Sequence, residues 1–229
     1  MEKSSKKKNK TKKKRKNPFK FFVYDFIKWT GAPSILLWFR LKCYYENKAA
    51  KKKIKGPAVV CANHLGFTDP IILSNVLWYR RPYFVATSDL FGGKFKTWLF
   101  KQLLCIPIDR DNVGVGSFKD IVNVLKNNGI VGIFPEGHIN NSQKDFDPFK
   151  GGMVLMAMQG KAPIVPMVIL KRKWWQRKVV LIGEPINLPQ ERMNLEQINQ
   201  FSEIIREKEE KLLSQYNERR KTKWKTTLR

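Results

Sequence analysis

Acidic residues are scarce in this chain, and histidine and cysteine are scarcer. The 229 residues hold 19 Asp and Glu against 45 Lys and Arg, with 2 His and 3 Cys. His64 and His138 are too few to build a metal centre of imidazoles, such as the dinuclear metallophosphatase sites in which Asn-His also occurs. Cys43, Cys61 and Cys105 form no C-x-x-C pair, which excludes a disulfide framework and points to a reducing compartment. Long apolar runs are missing too. The longest uncharged piece near the N-terminus, Trp29–Phe39, falls short of the ~20 residues a spanning helix needs. No small-residue cleavage site follows it, so a cleavable signal peptide is not expected.

What is present is a core and a large positive charge. A hydrophobic content of 42% supports a globular domain. The formal charge of +26 is uneven: residues 1–16 carry nine Lys, Arg15 and Glu2, a net of +9, leaving +17 for the rest. Such a balance calls for a polyanionic partner, either nucleic acid, an anionic membrane surface or an anionic substrate. Beyond this tail, residues 19–45 are crowded with aromatic and aliphatic side chains interrupted by single charges. Gly31 and Pro33 predict a break, hence two short amphipathic helices. Their Trp and Tyr residues beside a polybasic run suit a membrane interface. Packing as a helical pair on the core is the alternative.

From Pro57 onward, short β-branched runs alternate with helical patterns. Strands are expected at 57–62, 83–87, 105–108, 130–134, 164–170 and 179–182. Helices are expected at 71–78, 94–104, 116–128 with a Gly129 stop, and 151–159. Residues 191–218 read as an amphipathic helix with Leu195, Ile198, Phe201, Ile205 and Leu212 facing inward. The expected organisation is a polybasic disordered tail (1–18), interfacial membrane helices (19–48), an α/β domain (49–190), and a C-terminal amphipathic helix with a basic tail (191–229). The fold class is α/β, a mostly parallel sheet flanked by helices and preceded by an N-terminal pair of membrane-associating amphipathic helices.

The chemistry concentrates in Cys61-Ala-Asn-His-Leu-Gly-Phe-Thr-Asp-Pro70. A strand enters this stretch and a helix leaves it, which puts His64 on a turn and Asp69 in the N-cap place. A carboxylate five residues on can reach back to fix the imidazole tautomer for general-base work. A satisfied loop histidine and a simple capping aspartate are the plainer reading of this pair. Cys61 fits a buried strand position better than a nucleophile's.

Four stretches together resemble the sequence blocks of the glycerolphosphate acyltransferase family, in its bacterial 1-acylglycerol-3-phosphate acyltransferase branch. They are Asn63-His64-x4-Asp69, Ile106-Pro-Ile-Asp-Arg110, Phe134-Pro-Glu-Gly137 and Ala162-Pro-Ile-Val-Pro166, in the family's order. The resemblance implies that His64 acts as general base on a glycerol hydroxyl, which attacks an acyl thioester, and that Asp69 orients His64. It places Arg110, Glu136, Gly137 and Lys150 at the acceptor, with Arg110 and Lys150 on its phosphate. The turn's backbone amides are candidate oxyanion donors. Where the pattern has Thr and Arg after Glu-Gly, this chain has His138 and Ile139, a departure that bears on the acceptor. No cofactor and no metal are implied. The implied partners are a lysophospholipid acceptor, acyl-CoA or acyl carrier protein as donor, and an anionic membrane surface. Nucleic acid is not expected, and the implied location is peripheral, on the cytoplasmic face of the cell membrane. The alternatives are an acyltransferase for a different lysolipid or other acceptor, and a polybasic membrane- or nucleic-acid-binding module.

Overall fold

The computed structural model describes residues 21–109, 114–142, 144–173, 175–189 and 191–227. The expected polybasic tail and the candidate Arg110 lie outside these residues. The strands are β1 (Lys42–Tyr45), β2 (Ala58–Ala62), β3 (Pro82–Thr87), β4 (Cys105–Ile108), β5 (Ile130–Ile133), β6 (Ile164–Ile169) and β7 (Val179–Ile182). They form one sheet in the order β1-β7-β6-β2-β5-β3-β4. Every pair is parallel except β6–β7. The apolar runs of β2, β5, β6 and β7 are buried along their whole length, as strands covered on both faces must be. Pro166, which has no amide hydrogen to donate, stands in β6 just past the Met167–Ile182 pair that ends the β7 ladder, and its carbonyl accepts from the Gly183 amide there.

Helices α4 (Val115–Lys126), α5 (Gly152–Gly160) and α6 (Leu195–Thr227) cover one face. Ile121, Leu125, Val154, Ala157, Ile198 and Ile205 pack there on Val59, Cys61, Val131 and Ile133. Helix α2 (Asp69–Val76) covers the other face, with Ile72 and Leu73, followed by Leu77, against Val60, Ala62, Phe84 and Met167. Burying each such Leu or Ile contributes roughly 1.5–3 kcal/mol, so these two layers hold the sheet's centre rigid. Helix α3 (Lys94–Gln102) lies beside β4.

Three features differ from expectation. Residues 22–39 form a single helix, α1 (Phe22–Phe39), which continues through Gly31 and Pro33. The second expected helix is replaced in part by strand β1, paired on β7. Helix α1 is tied at both ends: Arg81 bonds the Asp25 carboxylate with two nitrogens, at 2.8 and 2.7 Å, and the Lys178 amide donates to the Phe39 carbonyl at 2.8 Å. These tertiary bonds outweigh the local tendency of Gly31–Pro33 to break a helix. No helix among the described residues is long and apolar enough to cross a membrane.

The second difference lies in α6, which runs to Thr227, beyond the expected end at 218. Its inward stripe is Ile198, Ser202, Ile205, Glu209, Leu212 and Tyr216, at steps of four and three, all buried. Leu195, expected to face inward, is 74% exposed because it opens the helix ahead of the covered stretch. The third concerns Gly129. Asn128 takes the left-handed turn (φ 60°) expected of that glycine. Gly129 is required for space, since a Cβ there would lie 2.4 Å from Val124 Cγ1.

Candidate active site

β2 is the middle strand of seven, so the residues leaving it emerge at the centre of the sheet's C-terminal edge, where open α/β sheets bind ligands. Asn63 fixes that exit. Its Oδ1 accepts from the Ile169 amide at 2.8 Å and its Nδ2 donates to the Ile169 carbonyl at 3.1 Å, which clamps the turn to β6. Asn63 belongs to the first sequence block, yet only the structure shows what it holds.

His64 Nδ1 lies 2.9 Å from Asp69 Oδ2. The same oxygen accepts the amides of Leu65 at 2.6 Å and Gly66 at 2.7 Å. An oxygen taking two amide hydrogens is an acceptor for the third partner as well, so Nδ1 carries the hydrogen and Nε2 keeps its lone pair. Phe134 stacks on the imidazole at 4.2 Å and 18°. The His64 side chain is 19% exposed and that of Asp69 only 3%. Asp69 is not the N-cap expected for it. Thr68 holds that position without a side-chain bond, and Asp69 is the first residue of α2, its carboxylate turned back across the turn.

This arrangement corrects one expectation. The turn amides considered as oxyanion donors are occupied: Leu65 and Gly66 bind Asp69, and the His64 amide donates to Glu136 Oε1 at 3.2 Å. These three do not line an oxyanion hole.

The third sequence block comes alongside. The Asn140 amide donates to the His64 carbonyl at 2.7 Å, which wraps the segment after β5 around the His64 turn. Glu136, expected at the acceptor, is 1% exposed. Its two oxygens take the His64 amide and, at 3.3 Å, the Asp147 amide, so it braces the loop from beneath. Burial pushes the Glu136 carboxyl up, while those two amides and Asn140 pull it down. Gly137 has φ 75°, and a Cβ there would meet Lys150 Nζ at 3.2 Å. The Lys150 ammonium therefore lies across Gly137, and α5 starts directly beyond it at Gly152, with Gly151 as its N-cap. His64, Asp69, Glu136, Gly137 and Lys150 thus gather at one edge of the sheet. Arg110 is outside the described residues.

A second pair adjoins the first and was not anticipated. His138 Nε2 lies 3.0 Å from Asp147 Oδ2, and Ser142 Oγ lies 3.3 Å from Asp147 Oδ1. Only the histidine could have been singled out from sequence, since nothing in the spacing marks Asp147. Cys61 is fully buried, and burial raises its thiol well above the usual range, so it is a core residue and not a thiolate. Among the described residues no group of three or more His, Cys, Asp or Glu side chains is placed to hold a metal ion.

Residues 40–170 match the family model described as Acyltransferase. The chain belongs to the acyltransferase family. It is 33% identical over 135 residues to the 1-acyl-sn-glycerol-3-phosphate acyltransferase of Bacillus subtilis, a match covering 56% of this chain and 66% of that protein. It is 26% identical over 206 residues to the Saccharomyces cerevisiae protein of the same name, covering 77% and 66%. The chain thus spans about two thirds of the length of these curated relatives. The crystal structure of the 1-acyl-sn-glycerophosphate acyltransferase from Thermotoga maritima superposes with a TM-score of 0.59 at 21% identity, over 84% of this chain and 80% of that one. This likeness is one of fold: the same mostly parallel α/β architecture recurs in this acyltransferase. The matched span runs from just before β1 to the end of β6.

Proposed function

We propose that this acyltransferase moves a fatty acyl group from an acyl thioester, acyl-CoA or acyl carrier protein, to the free hydroxyl of 1-acylglycerol-3-phosphate, giving phosphatidic acid. The observation that carries the reading is the His64–Asp69 geometry, which commits Nδ1 to the carboxylate and leaves Nε2 as the nitrogen to take a proton, on a largely buried ring at the sheet's C-terminal edge. A hydroxyl is a poor nucleophile until a base takes its proton. Nε2 accepts that proton as the oxygen attacks the thioester carbonyl. The tetrahedral intermediate collapses by expelling the thiolate, which takes the proton back from the imidazolium, leaving an ester and a free thiol. Asp69 holds the ring through Nδ1 and stabilises the imidazolium. Lys150, and Arg110 from the second block, would neutralise the acceptor's phosphate.

The exposed apolar side of α1 supports work at the cytoplasmic face of a membrane. Phe22, Phe26, Trp29 and Leu37 are 57–81% exposed, with the polybasic stretch preceding them in sequence. A second reading, a different lysolipid acceptor, is favoured by Ile139 where the family pattern has Arg. An acyl-transfer assay with both donor types across a panel of lysolipids separates the two. The first reading expects transfer to 1-acylglycerol-3-phosphate that His64→Ala removes. Preference for an acceptor without a phosphate monoester would establish the second, and no transfer to any acceptor would overturn both.

A further inference from the structure

The loop from β6 to β7 reads Lys171-Arg-Lys-Trp-Trp-Gln-Arg-Lys178, five cations with no acid. It leaves β6 at the same end of the sheet as the His64 turn, because Asn63 is clamped to Ile169. Its far end meets the end of α1 through the bond from the Lys178 amide to the Phe39 carbonyl. Trp175 is 56% exposed, with Lys173 Nζ 5.1 Å from its ring, and Leu37, two residues before Phe39 on α1, is 79% exposed.

Behind this loop lies a cavity of about 180 Å3 between β1 and the C-terminal half of α6. Two bonds join loop and cavity: Arg172 Nη2 donates to Tyr216 Oη at 3.2 Å, and the Lys42 amide donates to the Lys178 carbonyl at 2.9 Å. Tyr44 and Tyr216 meet edge to face at 4.9 Å. Lys42 Nζ stands 4.8 Å from the Tyr44 ring, Arg220 lies 5.9 Å from the Tyr216 ring, and Arg219 also lines the space. The one acid among the described lining residues, Glu46, is already engaged, with Oε1 taking Lys208 Nζ at 2.6 Å and Oε2 the Glu184 amide at 2.9 Å. Three cations over an aromatic floor are left without an acidic side chain in ion-pair range among the described residues.

We propose that this corner is a second membrane contact, in which the cavity takes the phosphate headgroup of an anionic phospholipid while Trp175 and Leu37 enter the interface. Arginine forks suit phosphate oxygens. Tryptophan beside Lys and Arg is the pattern of a protein surface at headgroup level. The exposed aliphatic Leu37 decides for a membrane over a nucleic acid, which needs no apolar contact there. Docked in this way, the loop brings the His64 end of the sheet toward the lipid.

The test uses the full chain with vesicles of phosphatidylcholine alone and of phosphatidylcholine mixed with phosphatidylglycerol. Arg219→Ser/Arg220→Ser should lower partitioning onto the mixed vesicles about five-fold for each cation removed, the equivalent of ~1 kcal/mol per basic residue near the surface. Binding to the neutral vesicles and the melting temperature should stay unchanged. Brominated lipid in the mixed vesicles should quench the fluorescence of Trp175→Phe less than that of the wild type. Unchanged partitioning, an equal loss on neutral vesicles, unchanged quenching, or loss of RNA binding alone would each overturn the proposal. His64→Ala must bind both vesicle types as the wild type does, which keeps this site's failure distinct from failure of the acyl-transfer reading.

Discussion

Two His–Asp pairs stand at the same sheet edge, and their difference is the reason the base is proposed at one of them. In His64–Asp69 the carboxylate oxygen also accepts two backbone amides, the ring is stacked on Phe134, and the bonded nitrogen is Nδ1. In His138–Asp147 the bonded nitrogen is Nε2 and the His138 side chain is 54% exposed. A distance near 3 Å is common to both. The first pair adds a fixed ring, a fixed tautomer and a carboxylate whose direction the backbone sets. Pre-organisation of this kind is what general-base chemistry requires, and the more exposed His138–Asp147 contact has less of it.

Removing each ring should break the comparison most sharply. His64→Ala is expected to lower kcat by roughly 10²–10⁴, the range for general-base catalysis, with the melting temperature nearly unchanged. His138→Ala should change kcat less than about ten-fold. Equal losses from the two substitutions, measured under saturating donor, would remove the distinction. Asp69→Asn comes next in size. The Leu65 and Gly66 amides select the carboxamide oxygen for the place facing Nδ1, so the tautomer is kept but the negative charge that stabilises the imidazolium is gone, and most activity should be lost, though less than in His64→Ala. The double variant should be no slower than His64→Ala alone, because the two residues act as one unit. For His138 and Asp147 the small effects should add.

The parts legible in sequence were those where local pattern and tertiary packing agree. Apolar runs marked the strands because a parallel sheet buries both faces, and the four blocks marked the edge because their residues leave strand ends. What the letters hid was set by partners that local pattern does not mark. Residues 35–45 looked helical throughout, yet Lys42–Tyr45 pairs with β7, more than a hundred residues away in sequence. Asp69 reads in sequence both as the cap and as the carboxylate that reaches back to His64; Thr68 takes the cap, and the Leu65 and Gly66 amides share the oxygen that meets His64. Ser202 and Glu209 looked like solvent-facing positions on α6. They are buried, Ser202 because its hydroxyl bonds the Ile198 carbonyl of its own helix.

A smaller effect is expected across Gly137. Lys150 lies over this glycine on the open side of the loop, whereas Glu136 is turned beneath it, so two neighbours in the site differ in what they can touch. Lys150→Met should cost on the order of 1.5–3 kcal/mol in kcat/KM for a phosphate monoester acceptor, the scale of one charge-assisted hydrogen bond. An acceptor lacking that group should be far less sensitive. Steady-state kinetics on the two acceptors decides the matter, and equal sensitivity would show that Lys150 does not meet the phosphate.

The smallest effect on turnover is expected from the buried acid that lacks what Glu136 has. Glu136 satisfies both oxygens with backbone amides, while neither oxygen of the fully buried Glu209 has a hydrogen-bond partner among the described residues. Burial pushes the Glu209 carboxyl well above the usual range, against the Cys61 thiol beside it, which pulls down, and with the charge of Glu136, which pushes up. The native state therefore holds a proton that the unfolded chain releases near pH ~4.3. The stability this proton confers is complete below that value. It falls by about 1.4 kcal/mol for each pH unit above it, until the raised native value is passed. Glu209→Gln keeps a neutral group of the same shape and should flatten that slope without changing kcat. The check is denaturant unfolding from mildly acidic to mildly alkaline pH. Glu136 titrates in both proteins, so the difference between the two curves isolates Glu209. A variant whose stability falls with pH as steeply as the wild type's would show that Glu209 already ionises inside the fold.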